Sequence, residues 1–179
     1  MTGEPVARLM VTLQVNDCEV AAAVDPRTSL ALFLREHLLL TGTRMGCDTA
    51  QCGACTVLMD GKSVKSCNLL VAQAHGRSIT TVEGLSDEDG KLHLVQECFR
   101  KHHALQCGFC TPGMVMRTCE ILATLVNPSD REIRDALDGN LCRCTGYHNI
   151  VAAVKDAFDQ RARAVSVELP HSEDLYVSV

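Results

Sequence analysis

Eight of the eleven cysteines in this chain fall into two groups whose spacing suits a metal cluster. In the first, Cys47, Cys52 and Cys55 are separated by four and then two residues, and Cys67 follows after a short turn. That is the spacing of a plant-type 2Fe–2S site. Three thiolates must wrap one face of a compact two-iron core while backbone N–H groups point at its sulfides, so small residues are needed between them. Gly46, Gly53 and Ala54 meet that need. In the second group Cys107 and Cys110 flank Gly108-Phe109, and Cys142 and Cys144 flank Arg143, so two distant segments close around one centre. Thr111-Pro112 directly after Cys110 predicts a helix start, where free amides and the positive end of the helix dipole favour an anionic cluster.

Two other readings compete. The cysteines could be buried small hydrophobes, as free cysteine often is. They could hold zinc in tetrahedral four-thiolate sites, which would make the chain a zinc-stabilised structural module. Zinc favours two similar paired knuckles, and neither the four-then-two spacing nor the Cys-x-Cys pair has that form. A free-standing ferredoxin that shuttles electrons by diffusion is a third possibility. Cys18, Cys98 and Cys119 lie outside both groups and are expected in the core. His102, His103 and His148 are expected as surface or docking residues, and Met114 and Met116 as packing or interface residues. No paired catalytic carboxylates, nucleophile triad or phosphate loop is present, so no substrate chemistry is assigned to the chain itself.

Positioning these groups requires two kinds of scaffold. Leu9, Val11, Leu13 and Val15 alternate on one face of a strand, Asn16-Asp17 makes a turn, and Glu19 to Val24 returns. Ser29 to Leu39 carries apolar residues at helical spacing, with Thr28 as its cap. Thr56 to Met59 and Lys62 to Lys65 flank Asp60-Gly61, a hairpin dipeptide, and Ile79 to Val82 is a further strand. Gly84 to Gly90 reads as a polar linker. Helices are then expected over Leu92 to His103, Pro112 to Val126, Ser129 to Leu137 and Asn149 to about Arg163, with Ser129 and Glu132 at capping-box spacing. Val165 to Val179 carries no helical stripe and is expected as an extended arm.

Composition excludes several classes. The formal net charge of −5 is dispersed, and without a lysine or arginine run nucleic acid is a poor partner. Leu30 to Leu40 is far shorter than the roughly 20 apolar residues a bilayer span needs. Without a basic-then-apolar leader, the chain is expected to be cytoplasmic, where thiols stay reduced and available for metal.

Three stretches carry a family resemblance: Gly46-Cys47-Asp48-Thr49-Ala50-Gln51-Cys52-Gly53-Ala54-Cys55-Thr56, Gln106-Cys107-Gly108-Phe109-Cys110-Thr111-Pro112-Gly113 and Asn140-Leu141-Cys142-Arg143-Cys144-Thr145-Gly146-Tyr147. They resemble the small iron–sulfur subunits of the xanthine oxidase family of molybdenum hydroxylases, over about Arg8 to Phe158. Within that family the chain looks most like the small subunit of aerobic carbon monoxide dehydrogenase, notably in Gly46 to Cys67 and Leu105 to Arg117. Other members act on aldehydes, purines or N-heterocycles.

The resemblance implies an α+β chain: a plant-type ferredoxin-like β-grasp domain over residues 1–82, an all-α four-helix-bundle domain over residues 83–164, and a tail over residues 165–179. It implies two 2Fe–2S clusters, one on Cys47, Cys52, Cys55 and Cys67 and the other on Cys107, Cys110, Cys142 and Cys144. The second cluster would face a molybdopterin cofactor in a large subunit, with Gln106 and Cys144 as contacts. The first would face flavin or solvent, with FAD on a medium subunit taking the electrons. The assembly would be a dimer of heterotrimers, with peripheral membrane association through a quinone acceptor.

Overall fold

The computed structural model describes residues 7–87 and 89–168. Its first half is a five-stranded sheet in the order β2-β1-β5-β3-β4, formed by β1 (Leu9–Val15), β2 (Cys18–Val24), β3 (Thr56–Met59), β4 (Lys62–Lys65) and β5 (Ser78–Thr80). The two hairpins turn where expected. Asn16 and Asp17 have φ of 49° and 64°, and Asp60 and Gly61 have φ of 50° and 78°, the left-handed values that match the twist of the flanking strands. β5 lies parallel to β1, with Val15 opposite Ile79, and antiparallel to β3, with Leu58 opposite Thr80. Alternation along β1 buries Val11, Leu13 and Val15 against Val24, Phe33, Leu34, Val57 and Ile79.

The helix packed on this sheet is shorter and less regular than its apolar spacing suggests. α1 covers Leu30–Leu32 and runs directly into a π-helical turn over Phe33–His37. Its cap is Ser29, whose hydroxyl accepts from Leu32 N at 3.3 Å, and not Thr28. Thr28 instead gives its carbonyl to Val71 N, which ties the helix entry to the segment after Cys67.

The second half contains α2 (Leu94–Lys101), α3 (Thr111–Thr124), α4 (Asp130–Ala136) and α5 (His148–Glu168) around a core that includes Phe99, Met114, Ile121, Ile133, Leu137, Ile150 and Val154. The capping box of α4 is present: Ser129 Oγ accepts from Glu132 N at 3.3 Å, and Glu132 Oε2 accepts from Ser129 N at 2.8 Å. α5 continues four residues into the segment expected to be extended, and residues 169–179 lie outside those described. The β-grasp half followed by a four-helix half is the α+β arrangement expected.

The expected linker begins inside structure. Val82–Leu85 is a 3-10 turn, and Glu83 Oε1 accepts from Gly42 N at 2.7 Å while Asn16 Oδ1 accepts from Thr81 N at 2.8 Å. On the other side, Gln96 of α2 donates to Val82 O at 3.3 Å. The junction is therefore clamped to both halves.

Candidate metal centres

The first cysteine group sits on the loop between α1 and β3, with Cys67 in a 3-10 turn over Ser66–Asn68 at the end of β4. Asp48 and Ala50 adopt left-handed backbone, and Gly53 has φ +74°, which folds the loop back on itself. A Cβ on Gly53 would lie 2.3 Å from Gly139 O. The second group uses a helix start, as its sequence suggests. Cys110 precedes the first residue of α3, Pro112 occupies the first turn, and the returning Cys142 and Cys144 lie on the loop between α4 and α5.

Within each group the thiols come together in twos. Cys47 neighbours Cys52, Cys55 neighbours Cys67, Cys107 neighbours Cys144, and Cys110 neighbours Cys142. Among the described residues no three Cys, His, Asp or Glu side chains gather closely enough to hold a single metal ion. Paired thiols suit a two-iron cluster, in which each tetrahedral iron takes two thiolates and shares two bridging sulfides. The donor set and its spacing thus fit two 2Fe–2S clusters, and each group supplies four thiols as two pairs.

The thiols differ in environment. N–H donors from Cys52, at 3.3 Å, and from Thr49 hold the Cys47 thiol down to about 6. Burial pushes Cys67 up to about 11 and Cys110 up to about 12, the latter helped by the neighbouring Cys142. Burial also pushes Cys142 up, but donors from Thr145, whose hydroxyl is 3.1 Å from Cys142 Sγ, together with the N–H of Cys144 bring it below the usual thiol range. Thr111 Oγ1, next to Cys110, is a buried hydroxyl with no protein partner among the described residues.

Asn140 locks the two loops together. Its side chain is 2% exposed and its amide is shared among Gly53 O at 3.0 Å, Thr56 Oγ1 at 3.1 Å and Gly113 O at 3.1 Å. Beside it, Leu141 N donates to Cys52 O at 2.8 Å. Gly113 is glycine because α3 starts against the first loop; a Cβ there would be 2.2 Å from Gly53 O. Tyr147 braces the same region, its hydroxyl accepting from Cys142 N at 2.9 Å and donating to Asn140 O at 3.1 Å. Arg44, before the first loop, stacks over Phe109 of the second, 5.5 Å from the ring centre.

Lys65 completes this seam. Its ammonium donates to Gly139 O, to Asn140 Oδ1 at 3.1 Å and to Thr56 Oγ1 at 3.4 Å. Burial pushes its pKa down. Neither Lys65 nor Tyr147 is assigned a role by the sequence. The signal that could have found them is their position, two residues before Cys67 and three after Cys144.

Of the remaining expected residues, Gln106, Cys107 and Cys144 are exposed on one loop pair, with Leu105 and Leu141 exposed beside them. Cys98 is buried and Cys119 packs against the helical core, but Cys18 is exposed, because it opens the edge strand β2 beside the Asn16-Asp17 turn, at the rim of the core. His102 is only partly at the surface: it is half-buried, 2.9 Å from Asp156 Oδ2 in the helical half. Met114 and Met116 are fully buried.

Comparison with known proteins agrees with this geometry. Residues 13–82 match the 2Fe-2S iron-sulfur cluster binding domain family, and residues 81–155 match the 2Fe-2S binding domain family. The nicotine 6-hydroxylase small subunit of Paenarthrobacter nicotinovorans is 52% identical over 156 residues, which cover 87% of this chain and 93% of that one. The caffeine dehydrogenase subunit gamma of Pseudomonas sp. (strain CBB1) is 47% identical, covering 89% and 97%. The crystal structure of quinoline 2-oxidoreductase from Pseudomonas putida 86 superposes with a TM-score of 0.83 at 47% identity, covering 88% of this chain and 98% of that one. A β-grasp domain and a helical domain, each built to bind a 2Fe–2S cluster, define an iron–sulfur electron-transfer protein. The chain belongs to the small iron–sulfur subunits of the xanthine oxidase family of molybdenum hydroxylases.

Proposed function

We propose that this chain relays electrons out of a molybdenum hydroxylase that oxidises an N-heteroaromatic substrate. Bound on Cys107, Cys110, Cys142 and Cys144 and on Cys47, Cys52, Cys55 and Cys67, the two clusters would each take up and pass on one electron at a time. The observation that carries the relay reading is the bond from Leu141 N to Cys52 O at 2.8 Å, which joins the residue preceding a ligand of one group to a ligand of the other. The exposed loop pair with Gln106, Cys107 and Cys144, rimmed by exposed Leu105 and Leu141, suits docking on a larger subunit. Gln106 and Cys144 would there contact molybdopterin. The β-grasp group would face FAD on a medium subunit, and the complex would be a dimer of heterotrimers delivering electrons to an acceptor such as quinone.

The residues of this chain supply the insulation and the route. Gly53 and Gly113 allow backbone to approach backbone, Asn140 fixes the spacing, and Tyr147 and Thr145 orient the Cys142 loop. The substrate class rests on relatives named for nicotine, caffeine and quinoline. Carbon monoxide, the expectation from Gly46 to Cys67 and Leu105 to Arg117, draws no support from them. Among the described residues no helix is long and apolar enough to cross a membrane. Aldehyde oxidation is the second reading, favoured by 43% identity to the aldehyde oxidoreductase iron-sulfur-binding subunit PaoA of Escherichia coli O157:H7.

The test is low-temperature EPR of the complex purified through this chain, after anaerobic addition of a pyridine- or purine-type heterocycle, an aldehyde or carbon monoxide. Two 2Fe–2S signals appearing with the heterocycle support the proposal. Signals elicited only by aldehyde or carbon monoxide would reassign the substrate, and a chain that purifies without larger partners would overturn the subunit assignment.

A further inference from the structure

Lys65 is a half-buried cation whose hydrogen-bond acceptors are all neutral: Gly139 O, Asn140 Oδ1 and Thr56 Oγ1. Among the described residues it forms no ion pair with a carboxylate. The neighbouring cation, Arg117 on α3, differs because Glu120 neutralises it. Burying an ammonium without a counter-ion is unfavourable unless an anion lies beside it. Lys65 lies across the hairpin from Thr56, the residue after Cys55, and two residues before Cys67, so two ligands of the first cysteine group flank it.

We infer that Lys65 is a positioning charge that favours the reduced state of the cluster on Cys47, Cys52, Cys55 and Cys67 and so draws the electron across from the second group. Reduction adds one negative charge to that site and breaks no bond, and a fixed cation within electrostatic reach stabilises the added charge. The three neutral acceptors hold the ammonium in place without cancelling it. Asn140, which bridges both loops, sets its position relative to each. This inference rests on the relay reading above, with electrons moving from the second group to the first.

The test is an EPR-monitored redox titration of the purified complex, comparing the natural protein with Lys65→Gln, which keeps a hydrogen-bond donor without charge, and Lys65→Arg, which keeps the charge. The expected result in Lys65→Gln is an electron distribution shifted at least tenfold away from the first cluster, about 59 mV for one electron. Lys65→Arg should restore most of it. Equal distributions in the natural protein and Lys65→Gln would overturn the inference, as would an Arg variant displaced as far as the Gln variant. Loss of the first-cluster signal from Lys65→Gln and Lys65→Met alike would assign Lys65 a purely structural role instead. Absence of two 2Fe–2S signals from the natural complex would overturn the relay reading itself.

Discussion

The backbone N–H of Leu141 donates to the carbonyl of Cys52 at 2.8 Å, so two cysteine loops almost ninety residues apart in the chain share a hydrogen bond where they meet. Asn140 reinforces that contact from the adjacent position, and the loops behave as one construction.

Asn140→Ala should therefore do more than loosen a turn. It removes the amide that ties Gly53 O, Thr56 Oγ1 and Gly113 O together and takes an acceptor from Lys65. The expected loss is about 2–4 kcal/mol, and the denaturant midpoint and the iron content per chain should fall together.

Gly53→Ala and Gly61→Ala separate backbone strain from close approach. Both residues have positive φ, +74° and +78°, but only Gly53 has a carbonyl 2.3 Å from where Cβ would sit, and Gly61 has nothing within 4 Å. Gly61→Ala should cost about 1 kcal/mol and leave both EPR signals intact. Gly53→Ala should displace the Gly139-Asn140 loop and diminish both signals.

The helical half should weaken in acid through Asp156. Hydrogen bonding from Lys101 at 2.8 Å, opposed by burial and aided by His102 and Gln160, holds its carboxyl well below the usual carboxylate range. Because the folded-state value lies below the unfolded one, this stabilisation is complete above about pH 4, the unfolded carboxylate value, and is lost as pH falls through the folded value. Asp156→Asn should cost about 2 kcal/mol at pH 7 and flatten the stability profile on the acid side, as read by thermal melts across pH.

Cysteine substitutions should divide cleanly. Cys110→Ser should remove the second EPR signal and about half of the iron, since each group supplies one two-iron site. Cys98→Ala, in the core with its thiol 3.4 Å from Gln160 Nε2, should leave iron unchanged and cost about 1 kcal/mol.

What could be read from the sequence follows from how local each signal is. The hairpins at Asn16-Asp17 and Asp60-Gly61, the α4 capping box and the cysteine spacings are each specified within a few residues, and all appear in the structure. α1 is harder, because its apolar spacing cannot distinguish a regular helix from one that widens into a π turn at Phe33. The ordinary fate of a free cysteine puts Cys18 inside, whereas pairing β2 at the sheet edge leaves it outside. Asn140, Lys65 and Tyr147 gain their roles only when loops distant in sequence meet, and no periodicity announces such a meeting.

The clamp at Thr81 to Leu85 has a mechanical consequence. Glu83 is held by Gly42 on one side and Val82 by Gln96 on the other, which leaves little slack for one half to swing against the other. The two cores should then melt in a single cooperative transition despite their separate folds, and a protease should find no cleavable hinge at this junction.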